Sequence, residues 1–578
     1  MKRVPELLHI LLILGFLTSA FRTEAQQSEA IFLHIDRDKY ISGEEIWFSI
    51  YVTDCKNKTL SPLSVLAYVE LLNPWNMPVI QARLKISEGR GEGNFTLPDS
   101  ISSGTYTVRA YTNHMKNFLP DNCFMQDIDV VNPFSNNGFR RKLTQGNTIN
   151  SVRNDDDSGK VSVISLTADT LFGRREKVDI RLGKSYGNKE QTTDYQISIS
   201  VIPAEVNNNL YDINEFLPDF QENNLQYHSG INTPSKYNFE SNGHFLSGKV
   251  KYRQSNVTDS SDYLYMSIQG KVAEFSYAET DSAGRFTFIL PVDDKHRNLI
   301  LQPQFANNNM ILEIDPSFSW SLPSFKSIKD TLSASTLDLF SELSFNYQTA
   351  KIYGINPGKD PNINEDRNLK KRRFYGIPEM EIKLNEYIKL PTMQEVFYEL
   401  VTGVIIRQKK SGYEMRITNP LTGIYYDDSP LVMIDGVIIN DLTVLMNLDP
   451  ETVEKIEVVK TPYLIGELIL HGIVNVLTEE GDFSNITMPE YAVILPYQVI
   501  ENTSVISLPE YSDDKIRLSR MPDLRNTLYW NPSVKSDKNG EIELSFWTSD
   551  LPGTYVIAIQ GISVSGEIIS LHKTFRVR

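Results

Sequence analysis

The sequence predicts a mainly β protein made of several β-sandwiches and one small α+β domain. Three observations predict it. Along most of the chain, short runs of alternating apolar and polar residues are broken by Gly, Pro, Asn and Asp, the pattern of antiparallel strands joined by tight turns. The 28 Tyr and 27 Phe among 578 residues suit pleated, half-buried surfaces. A supersecondary unit also recurs. Residues 91–111 and 540–559 both run strand, proline-bearing turn, then a Gly-Thr-Tyr strand, with Tyr106 and Tyr555 at matching places. Such a repeat implies at least two related sandwich modules.

The N-terminus predicts the compartment. Lys2 and Arg3 precede an apolar run over residues 7–17, and Thr23, Glu24 and Ala25 lead to Gln26. That is the charged, apolar, small-residue order of a secretory signal peptide, here residues 1–25. The run is too short to span a bilayer, and no later stretch approaches 18 consecutive apolar residues. No Cys lies near the cleavage site to carry a lipid anchor. An exported chain without a transmembrane segment is the expectation. Export and a net charge of −16 both argue against a nucleic-acid partner. The one basic run, residues 370–373, reads as a solvated linker. Cys55 and Cys123 are too few for a disulfide scaffold; they either bridge or, the preferred reading, stay as independent half-buried thiols.

The first domain is expected over residues 26–133. In it, Asp36, Arg37, Tyr40, Gly43 and Glu44 form an Asp-Arg-x-x-Tyr-x-x-Gly-Glu run between two strands. Gly43 can take the positive φ of a tight turn, Ile46 and Phe48 alternate into the next strand, and Arg37 can pair with a nearby carboxylate. Asp36 and Glu44 therefore read as turn and ion-pair residues rather than a catalytic pair. The run resembles the opening of macroglobulin-type domains, which implies an Ig-like sandwich. A second sandwich is expected over 155–240, with strands near 161–166, 177–182 and 196–202, a polar linker at 154–159 before it and a long irregular connection over 207–241. A third is expected over 245–325. There Asp281 and Gly284 repeat the spacing of Asp537 and Gly540, an Asx-type turn with glycine in the left-handed position. With residues 248–250 upstream, this stretch resembles the small sandwich called carboxypeptidase regulatory-like, a fold name that implies no peptidase. Residues 326–390 are a linker of unassigned fold, with helical character over 331–344 and loop composition over 356–366. Residues 520–578 carry C-terminal macroglobulin-like strands.

The α+β domain spans residues 391–485. Residues 391–401 have helical apolar spacing, with Pro391 placed in the first turn. Strands follow at 403–407, 413–417, 431–434, 456–459 and 473–477. Asp435-Gly436 is a tight-turn pair, and Asp449 caps a helix start whose first position is Pro450. Asp435, Gly436 and Asp449 thus read as structural. Strand, Asp-Gly turn, Asp-Pro cap and two more strands, in that order, resemble the plug domain of TonB-dependent outer-membrane transporters. The likeness covers about ninety residues. Its loop at 461–472 keeps Gly466 and Gly472 but lacks the family's Arg. Only about a hundred residues follow, too few for the barrel that normally holds such a plug, so no transmembrane barrel is expected.

Catalysis is not visible in the sequence. The eight His show no zinc spacing, and no nucleophile elbow or phosphate-binding loop appears. The Cys-Gly-Glu-Gln thioester of protease-trapping macroglobulins is absent. Asp427, Asp428 and Asp435 are explained by turn chemistry. The sequence assigns no catalytic, cofactor-binding or metal residue. The combination resembles exported Bacteroidetes-type proteins, in which a macroglobulin-like domain leads, a plug-like domain follows, and a strand-rich tail carries Tyr-Trp-Asn-Pro, here residues 529–532. The resemblance implies a non-enzymatic envelope protein in the periplasm or at the outer membrane, docking to a protein there. The alternatives are a glycan- or nutrient-binding accessory of a TonB-dependent uptake system and an enzyme with an unrecognised site.

Overall fold

The computed structural model describes all residues except 1–27, 135–139, 142–163, 168, 185–194, 207–209, 230–235, 254–262, 325–330, 333, 354–371, 411, 484–485 and 505. The signal-peptide reading, the 154–159 linker and the 356–366 loop fall outside the described residues. The protein is mainly β, with several sheets packed as sandwiches. No helix among the described residues is long and apolar enough to cross a membrane. Two units are distinguished: Met1–Gly243, Phe318–Ile363 and Ile500–Arg578 form one, and His244–Ser317 with Asn364–Val499 form the other.

The first unit begins with a strand buried on both faces. Glu29–Ile35 is covered along its whole length, which explains a near-continuous apolar run where a half-exposed strand would alternate. It pairs with Glu45–Asp54, and that strand pairs with Arg90–Thr96. Facing this three-stranded sheet is a five-stranded one in the order Lys39–Ile41, Phe124–Val131, Gly104–Tyr111, Leu66–Leu72, Pro78–Lys85. Ile31, Phe48, Val69, Val108 and Phe124 are among the residues of the core between them. Cys55 and Cys123 both lie in it, unbridged and fully buried rather than half-buried. Burial pushes the Cys123 thiol up to about 12.

A second sandwich in this unit interleaves segments that the sequence reading kept apart. Its small sheet runs Ile164–Thr167, Lys177–Lys184, Ile542–Trp547. In its large sheet Tyr195–Pro203 sits between Gly553–Ser563 and Tyr529–Lys535. The stretches divided as 155–240 and 520–578 thus share one core, including Val178, Ile197, Leu528, Tyr555 and Phe575. The internal repeat has a physical counterpart here. Tyr106 donates to Ser102 O at 2.8 Å and Tyr555 to Leu551 O at 3.0 Å. Each hydroxyl ties the second strand of its unit to the carbonyl four residues back, the arrangement of a tyrosine corner.

The connection read as irregular contains a helix, Ile213–Ser229. Pro218 lies inside it and offers no N–H to the carbonyl four residues back. Asp212 starts the helix, its Oδ1 accepting from Asn214 N and its carbonyl from Phe216 N. Ile213 and Leu217 then enter the first core. Residues 326–390 likewise contain a helix, Ala334–Ile352, longer than the 331–344 expected; its Phe340 and Leu343 pack on Ile41 and Ile202.

At the joint of these elements lies the Asp36–Glu44 run. Arg37, almost fully buried, places Nη2 3.0 Å from Glu44 Oε1 and Nε 3.4 Å from Asp36 Oδ2. Asp36 accepts from Tyr40 OH, Trp47 N and, from the second sandwich, Thr527 Oγ1 at 2.7 Å. Glu44 accepts from Ile41 N and Asn526 Nδ2, each at 2.7 Å. Asn526 also donates to Leu343 O of the Ala334–Ile352 helix. Gly43, at φ +87°, makes the turn between Asp36 and Glu44, and its carbonyl accepts from Tyr347 OH. Burial raises the Asp36 carboxyl against the opposing pull of Arg37, so the cluster holds two acids and one base in a dry site.

In the second unit a third sandwich packs Arg285–Leu290, His244–Tyr252 and Met310–Ile314 against Glu274–Glu279, Tyr263–Ile268, Arg297–Pro303 and Val493–Tyr497. The last strand comes from beyond the expected boundary at 325. Asp281 Oδ1 accepts from Ala283 N and Arg285 N, and Gly284 has φ +75°. Asp537 and Gly540 build the same turn in the first unit. The α+β module forms a five-stranded sheet in the order Met380–Lys383, Val453–Val459, Ile473–Thr478, Leu431–Ile434, Val437–Ile438. Its first strand lies before residue 391. Its longer helix is Met393–Leu400, capped by Thr392, so Pro391 precedes the helix instead of entering its first turn. Asp449 caps as expected, but the turn that follows is the short Pro450–Thr452.

Asp36→Ala leaves Arg37 buried with one carboxylate fewer, and should lower stability by about 3–5 kcal/mol in denaturant unfolding. Lys251→Ala, which breaks the exposed pair with Glu313, should change stability little. Equal effects of the two substitutions would contradict the role given to the Asp36 cluster.

Candidate functional site

The acidic residues singled out in sequence have separate fates. Asp36 and Glu44 are occupied as described. Asp427 and Asp428 are exposed, the first 3.9 Å from Arg416 Nη1 and the second 3.1 Å from His471 Nδ1. Asp435 is fully buried. It takes φ +47° before Gly436 at φ +76°, both positive as the turn requires. Its carboxylate accepts from Thr478 N, Thr478 Oγ1 and Phe483 N at 2.7–3.0 Å, fixing the end of the central strand. Among the described residues no group of three His, Cys, Asp or Glu is arranged to hold a metal ion.

The basic run read as a solvated linker is partly engaged. Arg373 places Nη2 2.6 Å from Glu457 Oε1, and Glu457 is buried in the module's sheet. Lys455 and Tyr375 OH approach the same carboxylate at 2.9 and 2.5 Å, and Asn475 donates to Tyr375. Sequence reasoning missed this because Arg373 and Tyr375 lie far from Glu457 in the chain.

Part of what the module shows the solvent is apolar. After the Gly412–Ile417 strand, residues 419–425 form a closed turn. Asn419 Oδ1 accepts from Leu421 N, Asn419 O from Gly423 N, and Asn419 N donates to Ile424 O. Gly423 has φ +71°, and Thr418 bridges Tyr425. This bonded turn holds Leu421 90% and Ile424 70% exposed. The hairpin Tyr463–Ile465 and Leu468–Leu470 does something similar. Leu464 and Ile469 are cross-strand partners, both exposed, while Leu468 and Leu470 are buried. Tyr398, on the Met393–Leu400 helix, is also exposed. These apolar side chains stand in water, Leu421 and Ile424 at positions set by the hydrogen bonds of their turn. The composition of residues 419–425 carried this signal in part, since Leu421 and Ile424 stand in an otherwise polar turn.

In the first unit, one histidine is buried between the two sandwiches. His34 Nδ1 is 2.6 Å from Ser198 Oγ, and its ring meets Trp530 edge-on. Trp530 belongs to the Tyr-Trp-Asn-Pro stretch, whose role here is packing. Burial, with a smaller contribution from His572, pushes His34 down to about 3, so it stays neutral in the folded protein.

No protein-family model matches the chain, and no curated protein matches it. Among solved structures it is similar to bacterial alpha-2-macroglobulins. The Salmonella protein reacted with methylamine is 11% identical, over 95% of this chain and 39% of that one, with a TM-score of 0.24. Trypsin-activated alpha-2-macroglobulin from Escherichia coli is 11% identical over 95% and 41%, also at 0.24. The native conformation of the Escherichia coli protein is 9% identical over 96% and 40%, at 0.25. The chain thus spans about two-fifths of the length of these structures. Likeness at that level transfers no residue role.

His34 predicts a pH dependence of known sign. Its folded value lies below the ordinary 6.5, so its contribution to stability is complete above 6.5 and is lost as pH falls toward 3. Between pH 6 and 4 the wild type should lose stability more steeply than His34→Gln, by about 1 kcal/mol per pH unit. Parallel slopes in denaturant titrations at these pH values would show that His34 does not resist protonation.

Proposed function

We propose that the chain is a non-enzymatic exported envelope protein whose β-sandwiches serve as a scaffold and whose α+β module, residues 391–485, docks to an outer-membrane protein. The observation that carries this reading is the closed turn at 419–425, which keeps Leu421 and Ile424 in water at fixed positions. An apolar turn ordered before binding loses little entropy when a partner covers it. The exposed Leu464–Ile469 pair adds a second apolar face on the same module. The order of strand, Asp-Gly turn and Asp-Pro cap that resembles a transporter plug supports the outer membrane as the place of docking.

A second reading has its own observation. Trp75 and Trp320 are 61% and 67% exposed in the first unit. Asn76, next to Trp75, donates to Pro323 O and Ser324 O, which ties their two loops together. Exposed aromatic faces on one sandwich suit a glycan. That reading calls for oligosaccharide binding that Trp75→Ala and Trp320→Ala abolish.

The docking reading is tested by capturing outer-membrane proteins on the tagged mature chain and on a Leu421→Asp, Ile424→Asp double variant. Both sites are exposed, so thermal unfolding should be unchanged while one outer-membrane partner disappears from the variant's captures. Retention of the same partner by a folded double variant would overturn docking through this turn.

A further inference from the structure

The two sandwiches of the first unit face each other through polar side chains. Tyr51 OH lies 3.0 Å from both Ser198 Oγ and Gln560 O, Ser49 Oγ donates to Pro532 O, and Arg90 reaches Gln196 Oε1 and Ile562 O. On one side this interface opens into a cleft of about 460 Å³ whose walls include Lys85, Glu88, Arg90, Glu92, Glu501 and Lys535. Both signs of charge are present. Lys85, Lys535 and Glu92 form no ion pair with a described residue. The desolvation of the walls raises the Glu92 carboxyl.

Two sheet edges border the cleft. Arg90–Thr96 is the outer strand of the three-stranded sheet, and Tyr529–Lys535 is the outer strand of the five-stranded one. The second is blunted by Pro532, which has no N–H to offer. The first pairs with no further strand, and its register shows which groups face outward. Val52 N donates to Gly89 O and Leu97 N to Glu44 O, and Ile50 lies opposite Gly91 and Phe48 opposite Gly93. In an antiparallel ladder, bonded and non-bonded pairs alternate. Residues 89, 91, 93, 95 and 97 therefore bond inward, and Glu92 turns its N–H and C=O outward. Neither group bonds to a described residue. The 500–504 segment runs alongside and engages Arg83 O and the Asn94 side chain, and no bond from it to Glu92's backbone is formed by a described residue.

We propose that this cleft binds an extended polypeptide segment of a partner, carrying both acidic and basic side chains, which adds as a short strand beside Arg90–Thr96 and pairs with the backbone of Glu92. Main-chain bonds to an open edge supply affinity, and side chains on either side supply selectivity. Lys535 and Lys85 receive acidic side chains of the peptide, and Glu501 and Glu88 receive basic ones. This site lies on the first unit and does not depend on docking by the α+β module.

The test selects dodecapeptides from a phage-displayed random library on the full mature chain, then titrates one synthetic, labelled peptide by fluorescence anisotropy. Glu92→Pro removes the outward N–H without touching the bonds to the Glu45–Asp54 strand, whereas Glu92→Thr keeps it. Binding should weaken about tenfold or more in Glu92→Pro and much less in Glu92→Thr. Peptides N-methylated at alternate backbone positions should lose affinity for one parity only, an arm that stands even if Glu92→Pro fails to fold. A folded Glu92→Pro variant that binds as tightly as wild type would overturn the proposal. So would indifference to N-methylation, or a library that yields no binder blocked by these changes.

Discussion

The first unit is organised around one buried guanidinium. Arg37 has Asp36 and Glu44 within reach, and each carboxylate is held in turn by groups from elsewhere: Trp47 and Tyr40 of the first sandwich, Thr527 and Asn526 of the second. Through Asn526 and Leu343 O the same network fixes the Ala334–Ile352 helix. Two charges of one sign and one of the other in a dry site are costly to desolvate. They stabilise the fold only while the whole geometry is kept. The run thereby ties the first sandwich, the second and the Ala334–Ile352 helix into one network. The polar interface between the two sandwiches also includes Ser198, Gln560 and His34.

The cleft lies beside this interface, where Glu92 of the Arg90–Thr96 edge turns its backbone N–H and C=O away from the Glu45–Asp54 strand. In the second unit the same economy of buried charge operates around Glu457, with Arg373, Lys455 and Tyr375, while Asp435 fixes the end of the central strand. With its interior fixed by bonds of this kind, the α+β module can carry Leu421, Ile424, Leu464 and Ile469 in water without collapsing onto them.

Local chemistry was legible in the sequence. The Asx turns at Asp281 and Asp537, the paired positive φ of Asp435 and Gly436, the cap at Asp449 and the positive φ of Gly43 all depend on residues close in the chain. So does the repeat that turned out to hold two tyrosine corners. What was not legible depends on distant pairing. Nothing within residues 195–203 says that this strand will sit between two strands from beyond residue 528. The 493–497 strand gives no sign that it completes the third sandwich. The helix Ile213–Ser229 was hidden by Pro218 and an Asn-rich flank, although Ile213 and Leu217 find a core that outweighs the proline. Of the candidate site, the sequence reading singled out neither Leu421 nor Ile424, because the bonds that hold them outward form only in the folded turn.

The central claim, that the α+β module is the docking surface, is tested most directly by placing a photoreactive phenylalanine analogue at Ile424, and separately at Lys538 on the exposed turn of the second sandwich. The chain is then irradiated with outer membranes, and the cross-linked products are identified by mass spectrometry. The account predicts adducts to one outer-membrane protein from position 424 and none to that protein from 538. Adducts from 538 alone, or the same set from both positions, would contradict it.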